Sequence, residues 1–149
     1  MRCTNPWKLL LIRRHDDGLW ALPGGLVEVG ETLAEAAERE LWEEVGIVGR
    51  AIRLLGIFDS RRSGSRTKAQ LYHAVFLVEA GDDEPATSSE ARDVGFFAAD
   101  VLPPLSPGHH RRVPQVFGMA DQSMTFFDGC EDVDPAGRRD DQAARGGGS

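Results

Sequence analysis

The chain has 149 residues with 24 acidic and 17 basic side chains, which gives a formal net charge of −7. Hydrophobic residues make up 41% of it, a proportion typical of one soluble globular domain that can bury a core. The acidic balance argues against a general nucleic-acid-binding surface, and the longest early apolar run, residues 9–12, is too short for a membrane span or a signal sequence.

The first elements along the chain are two strands and a glycine turn. Residues 7–13 predict a buried strand, residues 15–18 a turn, and residues 19–22 a second, short strand. Pro23-Gly24-Gly25 follows, and this turn has so little side-chain bulk that its backbone can approach a metal ion or a phosphate closely.

A helix is predicted next, over residues 33–45. Thr32 and Glu35 have the spacing of a capping box, and Gly46 suits the position just after a helix. With about 100° per residue, the apolar side chains form one arc that should face the core. The members of this predicted arc are Leu33, Ala34, Ala37, Leu41 and Val45.

The second half of the chain predicts more strands and polar loops. Residues 48–58 indicate a strand, 59–67 a basic loop, 70–79 a strand, 80–89 an acidic loop, and 94–98 a short strand. Together with the helix, these strands favour an α/β fold.

A last helix is predicted over residues 106–120, with Ser106 as its N-cap and Pro107 at its first position, although Pro114 should kink or interrupt it. Residues 121–149 are polar and end in Gly-Gly-Gly-Ser, so we expect a domain over residues 1–120 and a disordered tail. The Phe126-Phe127 pair is the one feature of the tail that could dock on a sheet edge.

The predicted first helix concentrates carboxylates on one side. Glu40, Glu43 and Glu44 stand at i, i+3 and i+4, and Glu44 falls inside the apolar arc. A lone carboxylate there would cost several kcal/mol, so a cation should lie against it. Arg39 is one candidate for that cation and a divalent metal is the other; oxygen-only ligands suit Mg²⁺ or Mn²⁺.

The same residues carry a resemblance to a known family. Gly25, Glu31, Arg39-Glu40-Leu41, Glu43-Glu44 and Gly46-Ile47 match the Nudix box at every defined position. The segment 90–106 looks like the bacterial Nudix group of ADP-ribose pyrophosphatase-like proteins. The resemblance implies an α/β/α sandwich with a mixed β-sheet. Nudix domains usually carry one more strand ahead of the first strand predicted here, so either the sheet lacks a strand or the true start lies upstream.

The resemblance also implies roles for particular residues. The Gly24 carbonyl and the carboxylates of Glu40, Glu43 and Glu44 would bind the metal, directly or through water, with Glu40 also a plausible base. Arg39 would hold a box glutamate in place without touching substrate. Glu90 is a further candidate ligand, because Nudix enzymes often place a glutamate in this loop; a solvated loop residue is the other interpretation.

The implied activity is Mg²⁺-dependent hydrolysis of a nucleoside diphosphate linked to another moiety, such as an ADP-ribose-like or NDP-linked compound, or of a (d)NTP. The alternative is a Nudix fold that binds a nucleotide metabolite without turnover. Trp42 lies off the apolar arc and could contact a second copy, so a homodimer is a candidate assembly. Cys3 and Cys130 lack a metal-type spacing, which favours free thiols and a cytoplasmic location.

Overall fold

The computed structural model describes residues 7–122 and 125–127. These residues form two helices and six strands in the following order along the chain: β1 (Lys8–Arg14), β2 (Trp20–Ala21), α1 (Leu33–Val45), β3 (Gly49–Asp59), β4 (Tyr72–Ala80), β5 (Ala91–Ala98), α2 (His109–Ala120) and β6 (Phe126–Phe127).

The strands divide into two three-stranded sheets. β1 lies between β2 and β5 and is antiparallel to both. β3 lies between β4, to which it is antiparallel, and the short β6, to which it is parallel. The second sheet is therefore mixed, whereas the strands of the first are all antiparallel to their neighbours.

The helices cover opposite faces of β1, because successive side chains of a strand point to opposite sides. Leu10 and Ile12 pack in the cluster that contains Val45 of α1. Leu11 packs with Val113 and Phe117 of α2 instead. This arrangement confirms the predicted α/β class and its layered α/β/α organisation.

Helix α1 begins and ends where the sequence predicted. The Thr32 side chain accepts the N–H of Glu35 at 3.2 Å, and the Glu35 carboxylate accepts the N–H of Thr32 at 2.7 Å. Gly46 ends the helix at φ 72°, a left-handed conformation that favours glycine. The predicted core arc was wrong at its start: Leu33 is half exposed, and Ala36 is buried in the first turns.

Helix α2 starts later than predicted, at His109, and Ser106 makes other contacts. Its hydroxyl donates to the Asp17 carboxylate at 2.7 Å, and its N–H donates to the Trp20 carbonyl. The N-cap is Gly108, without a side-chain cap. Pro114 does not interrupt the helix, which continues to Ala120.

The strands in the second half of the chain differ from the prediction where pairing with a distant strand sets their bounds. β5 begins at Ala91 instead of residue 94, because its first residues pair with the end of β1, Ala91 opposite Arg14. The predicted disorder was wrong for Phe126 and Phe127, which pair with Gly56 and Ile57 of β3. Residues 123–124 and 128–149 lie outside the described residues, so the domain boundary stays a prediction.

No helix in the described part of the chain is long and apolar enough to cross a membrane.

Candidate metal and diphosphate site

Glu44 is the buried carboxylate of the candidate site. It is 4% exposed and directly precedes the buried Val45 of α1. Oε2 accepts the backbone N–H of Gly24 at 3.1 Å, which ties the helix to the glycine turn. Burial raises the pKa of the Glu44 carboxyl to about 7, and the negative charges of Glu40 and Glu90 add to the rise.

Three carboxylates converge at this point. Oxygen atoms of Glu40, Glu44 and Glu90 all lie within 4.8 Å of one another. Glu90 comes from the loop before β5, where the Ser88 hydroxyl accepts the N–H groups of Glu90 and Ala91 at 3.2 and 3.1 Å. The pairing of β5 with β1 then carries this loop to the helix.

Arg39 organises the carboxylates beside the cluster. Its guanidinium is 2.8 Å from Glu31, 2.9 Å from Glu40 and 3.0 Å from Glu43, and it also donates to the Leu26 carbonyl at 3.0 Å. These contacts raise the pKa of Arg39, so its positive charge is fixed. The predicted pairing of Arg39 with box glutamates is therefore present, and it leaves Glu43 facing Arg39 instead of the three-carboxylate cluster.

Gly25 leaves the space that Glu40 occupies. A β-carbon at this position would stand 2.1 Å from Oε1 of Glu40, closer than any real contact allows. The second glycine of the turn is thus required by the close approach of a site carboxylate.

Several polar and aromatic residues outside the carboxylate cluster differ in their contacts and exposure. Glu38 of α1 binds the neighbouring sheet, because its carboxylate accepts the N–H of Ala51 in β3 at 2.7 Å. Arg61 of the basic loop pairs with Asp59 at 2.6 Å. Among the aromatic side chains of the strands, Phe58 and Phe97 pack in the core, whereas Tyr72 and Phe96 are largely exposed.

Sequence reasoning missed His109, which joins α2 to the glycine turn. Its Nδ1 lies 3.2 Å from the backbone nitrogen of Leu22, two residues before Gly24. Nothing in the local pattern of Gly108-His109-His110 indicates this contact, because it joins residues 87 positions apart. Only the packing of α2 against β2 and the turn reveals it.

A buried arginine, Arg112, lies beside His109. Arg112 is 5% exposed, and its Nη2 lies 3.1 Å from Nε2 of His109. Among the described residues no acceptor reaches Nε or Nη1 of Arg112, and none reaches Nε2 of His73. Burial lowers the pKa of His109 to about 3 and of His73 to about 4, with the charge of Arg112 contributing to both. Both imidazoles are therefore neutral at physiological pH.

The comparison with protein families decides the family. Residues 2–116 match the NUDIX domain. The chain belongs to the Nudix family. The confirmed membership places the loop–helix segment with Glu40, Glu43 and Glu44 within the family's defining domain.

Individual Nudix relatives differ in what they are named for. The chain is 36% identical over 107 residues to an ADP-ribose pyrophosphatase of Methanocaldococcus jannaschii, covering 70% of this chain and 62% of the relative. It is 43% identical over 127 residues to a Bacillus subtilis protein provisionally named an 8-oxo-dGTP diphosphatase, covering 85% of this chain and 75% of the relative.

Among solved structures, an ADP-ribose pyrophosphatase from Streptococcus suis superposes with a TM-score of 0.69 at 29% identity, over 81% of this chain and 90% of that one. This Nudix chain spans between 53% and 62% of the length of several curated relatives that it matches.

Proposed function

We propose that this protein is a divalent-metal-dependent pyrophosphohydrolase that cleaves the diphosphate of a nucleoside diphosphate linked to another moiety. The observation that carries the proposal is the convergence of Glu40, Glu44 and Glu90 within 4.8 Å beside a glycine turn. Three carboxylates this close repel one another, and one of them is nearly inaccessible to water. Such an arrangement suits a bound cation.

The donor set fits Mg²⁺ or Mn²⁺ and does not fit zinc. All the converging side chains are carboxylates, the hard oxygen ligands that Mg²⁺ and Mn²⁺ prefer, and neither histidine nor cysteine belongs to this cluster of described residues. Glu40, Glu44 and Glu90 would hold the ion, with the Gly24 carbonyl and a water-mediated Glu43 as further ligands. A bound divalent ion would neutralise the diphosphate and polarise the attacked phosphorus.

The protein's own residues would then orient the reactants. Water attacks one phosphorus, the new P–O bond forms, and the bridging P–O bond of the anhydride breaks to give two phosphate monoesters. The proton of the water passes to a carboxylate of the cluster. Glu40 and Glu90 are the candidates, because Glu44 is buried and already accepts the Gly24 N–H. Arg39 holds Glu40 in position and acts through it.

The substrate class that we favour is ADP-ribose or a similar nucleoside diphosphate derivative. The archaeal relative and the streptococcal structure are both named ADP-ribose pyrophosphatases. The Bacillus relative is named for a modified nucleoside triphosphate, and this is the competing class. The box is common to both classes, so the choice between them depends on measurement of turnover.

The decisive experiment compares turnover of ADP-ribose, a UDP-sugar and 8-oxo-dGTP in millimolar Mg²⁺ or Mn²⁺, with products identified by ³¹P NMR. We expect ADP-ribose to give AMP and ribose 5-phosphate, excess chelator to abolish turnover, and Glu90→Gln to lower it strongly. Glu84→Gln, an exposed glutamate of the acidic loop, is the matched control. Turnover that persists in excess chelator would contradict the proposal.

The same experiment tests the alternative of a binding module. Saturable binding of ADP-ribose by calorimetry, without any product from the whole panel, would favour a sensor. The retained carboxylates at positions 40, 43 and 44 support the enzyme, since metal chemistry is what requires them.

A further inference from the structure

His109 connects α2 to the candidate metal site through two hydrogen bonds in series. Nδ1 of His109 lies 3.2 Å from the backbone nitrogen of Leu22. Two residues later, the N–H of Gly24 donates to Oε2 of Glu44 at 3.1 Å. The segment from Leu22 to Gly24 is therefore held at one end by α2 and at the other by the buried carboxylate of α1.

The ring of His109 stands between two donors. The Leu22 N–H points at Nδ1, and the Arg112 guanidinium lies 3.1 Å from Nε2. A neutral imidazole carries one N–H and one bare nitrogen, so it can accept only one of these two bonds. An imidazolium could accept neither, and burial with Arg112 alongside disfavours that form.

The backbone N–H of Leu22 needs a hydrogen-bond acceptor, and this favours Nδ1 as the accepting nitrogen of His109. Leu22 follows the last residue of β2, Ala21, and its N–H donates to Nδ1 of His109 at 3.2 Å. Leaving this partly buried N–H unpaired would cost free energy. His109 is also fixed by its surroundings, because α2 packs its buried Val113, Val116 and Phe117 against the sheets. The ring is thus a rigid acceptor aimed at the start of the glycine turn.

We propose that His109, as its Nε2–H tautomer, is a positioning residue that fixes the Leu22–Gly24 segment and thereby the metal-binding geometry of Glu44. The inference rests on the proposed function, because it concerns the same carboxylates. The hydrogen-bonding partners of His109 in the described part of the chain are Leu22 and Arg112, so it would act on those carboxylates through the turn.

Three substitutions separate the acceptor from the packing. His109→Asn places an amide oxygen near the position of Nδ1, whereas His109→Gln places it near Nε2, and His109→Leu removes the acceptor while keeping much of the volume. His110→Leu is the matched control: Nδ1 of this neighbouring imidazole accepts the N–H of Gly108 instead of that of Leu22. The primary readout is Mn²⁺ affinity measured by electron paramagnetic resonance, with kcat and KM measured in parallel.

We expect His109→Leu and His109→Gln to weaken Mn²⁺ binding by about 10-fold or more, the usual effect of losing a group that orients a metal ligand. His109→Asn should restore most of the affinity, and His110→Leu should retain it. At saturating metal, kcat should fall more than KM rises, since the turn orients the site. In the wild type, ¹⁵N NMR should show Nε2 protonated and Nδ1 bare.

Several outcomes would overturn the inference. Equal Mn²⁺ affinity in the wild type and in folded His109→Gln would do so, as would an Nδ1–H tautomer. If His109→Leu fails to fold, the Asn and Gln variants still decide between an acceptor and a packing role. Failure of the wild type to bind Mn²⁺ or to turn over any substrate would count against the proposed function instead.

Discussion

Oε1 of Glu40 lies 2.1 Å from the point where a β-carbon of residue 25 would stand, so Gly25 and Glu40 are sterically coupled. Gly25→Ala should displace the Glu40 carboxylate from the cluster and lower turnover by about 10- to 100-fold. The fold should persist, because the change lies in an exposed turn.

The measurement is kcat/KM together with far-ultraviolet circular dichroism. Gly81→Ala is the control, since nothing lies within 4 Å of a β-carbon there. Equal activity of the two variants would show that Glu40 can move aside without consequence.

Replacement of the buried carboxylate of Glu44 should lower activity and raise thermal stability. We expect Glu44→Gln to lose most metal binding and turnover and to melt higher than the wild type in excess chelator. The amide removes both the desolvation cost and the repulsion from Glu40 and Glu90 that raise the Glu44 pKa.

Calorimetric melting with and without Mg²⁺ checks this prediction. Glu43→Gln, whose side chain is about half exposed against Arg39, should show no such gain. A metal-free Glu44→Gln protein that melts below the wild type would mean that the carboxylate supports the fold.

Two arginines should respond in opposite ways to substitution by methionine. Arg53 donates to the carbonyls of Met119, Ala120 and Gln122 at the end of α2. Arg53→Met should therefore cost about 1–3 kcal/mol of unfolding free energy. Arg112→Met should cost nothing or raise the stability, because the guanidinium is buried without a carboxylate partner among the described residues. Urea unfolding measures both, and a large loss in Arg112→Met would reveal a partner for this charge.

Acid should destabilise the protein through His73. Burial lowers its folded-state pKa from 6.5 to about 4, so the unfolded chain takes up a proton first as the pH falls. The stabilising contribution of neutral His73 is complete above its unfolded pKa and is lost as the pH falls from there towards 4. We expect the melting temperature of His73→Gln to decline less over this window than that of the wild type. Substitution of the exposed His15 is the control, and parallel curves for all three proteins would contradict the assignment.

Of the residues that follow α2, those up to Phe127 should stabilise the fold, and those after Phe127 should not. Phe126 stacks on Phe58 with ring centroids 5.1 Å apart and pairs with the edge of β3. Truncation after Ala120 should therefore lower the melting temperature by several degrees, about the effect of losing 1–3 kcal/mol in a domain of this size. Truncation after Phe127 should leave it unchanged. A shortened chain ending at Ala120 that melts like the full chain would show that β6 contributes nothing.

The local features of this protein could be read from the sequence alone. The bounds of α1, its capping box and its terminal glycine depend on residues within a few positions of one another, and all were predicted. The burial of Glu44 also followed from helical periodicity, because Glu44 shares a face with apolar neighbours. The box spacing identified the family for the same reason, because its positions 39–44 lie on one helix and the others lie in the turns beside that helix.

Features that join distant segments were decided by the tertiary structure. Glu90 reaches the carboxylate cluster only because β5 pairs with β1, and Glu43 turns towards Arg39 although its spacing matched that of the other ligands. Ser106 had the chemistry of an N-cap, but the structure places it before the helix, with its hydroxyl donating to Asp17 across 89 positions, and Gly108 is the N-cap. His109 gave no sequence signal at all. Local hydrogen bonds and periodicity are fixed by neighbouring residues, whereas these contacts depend on which strands pair and how α2 packs on them.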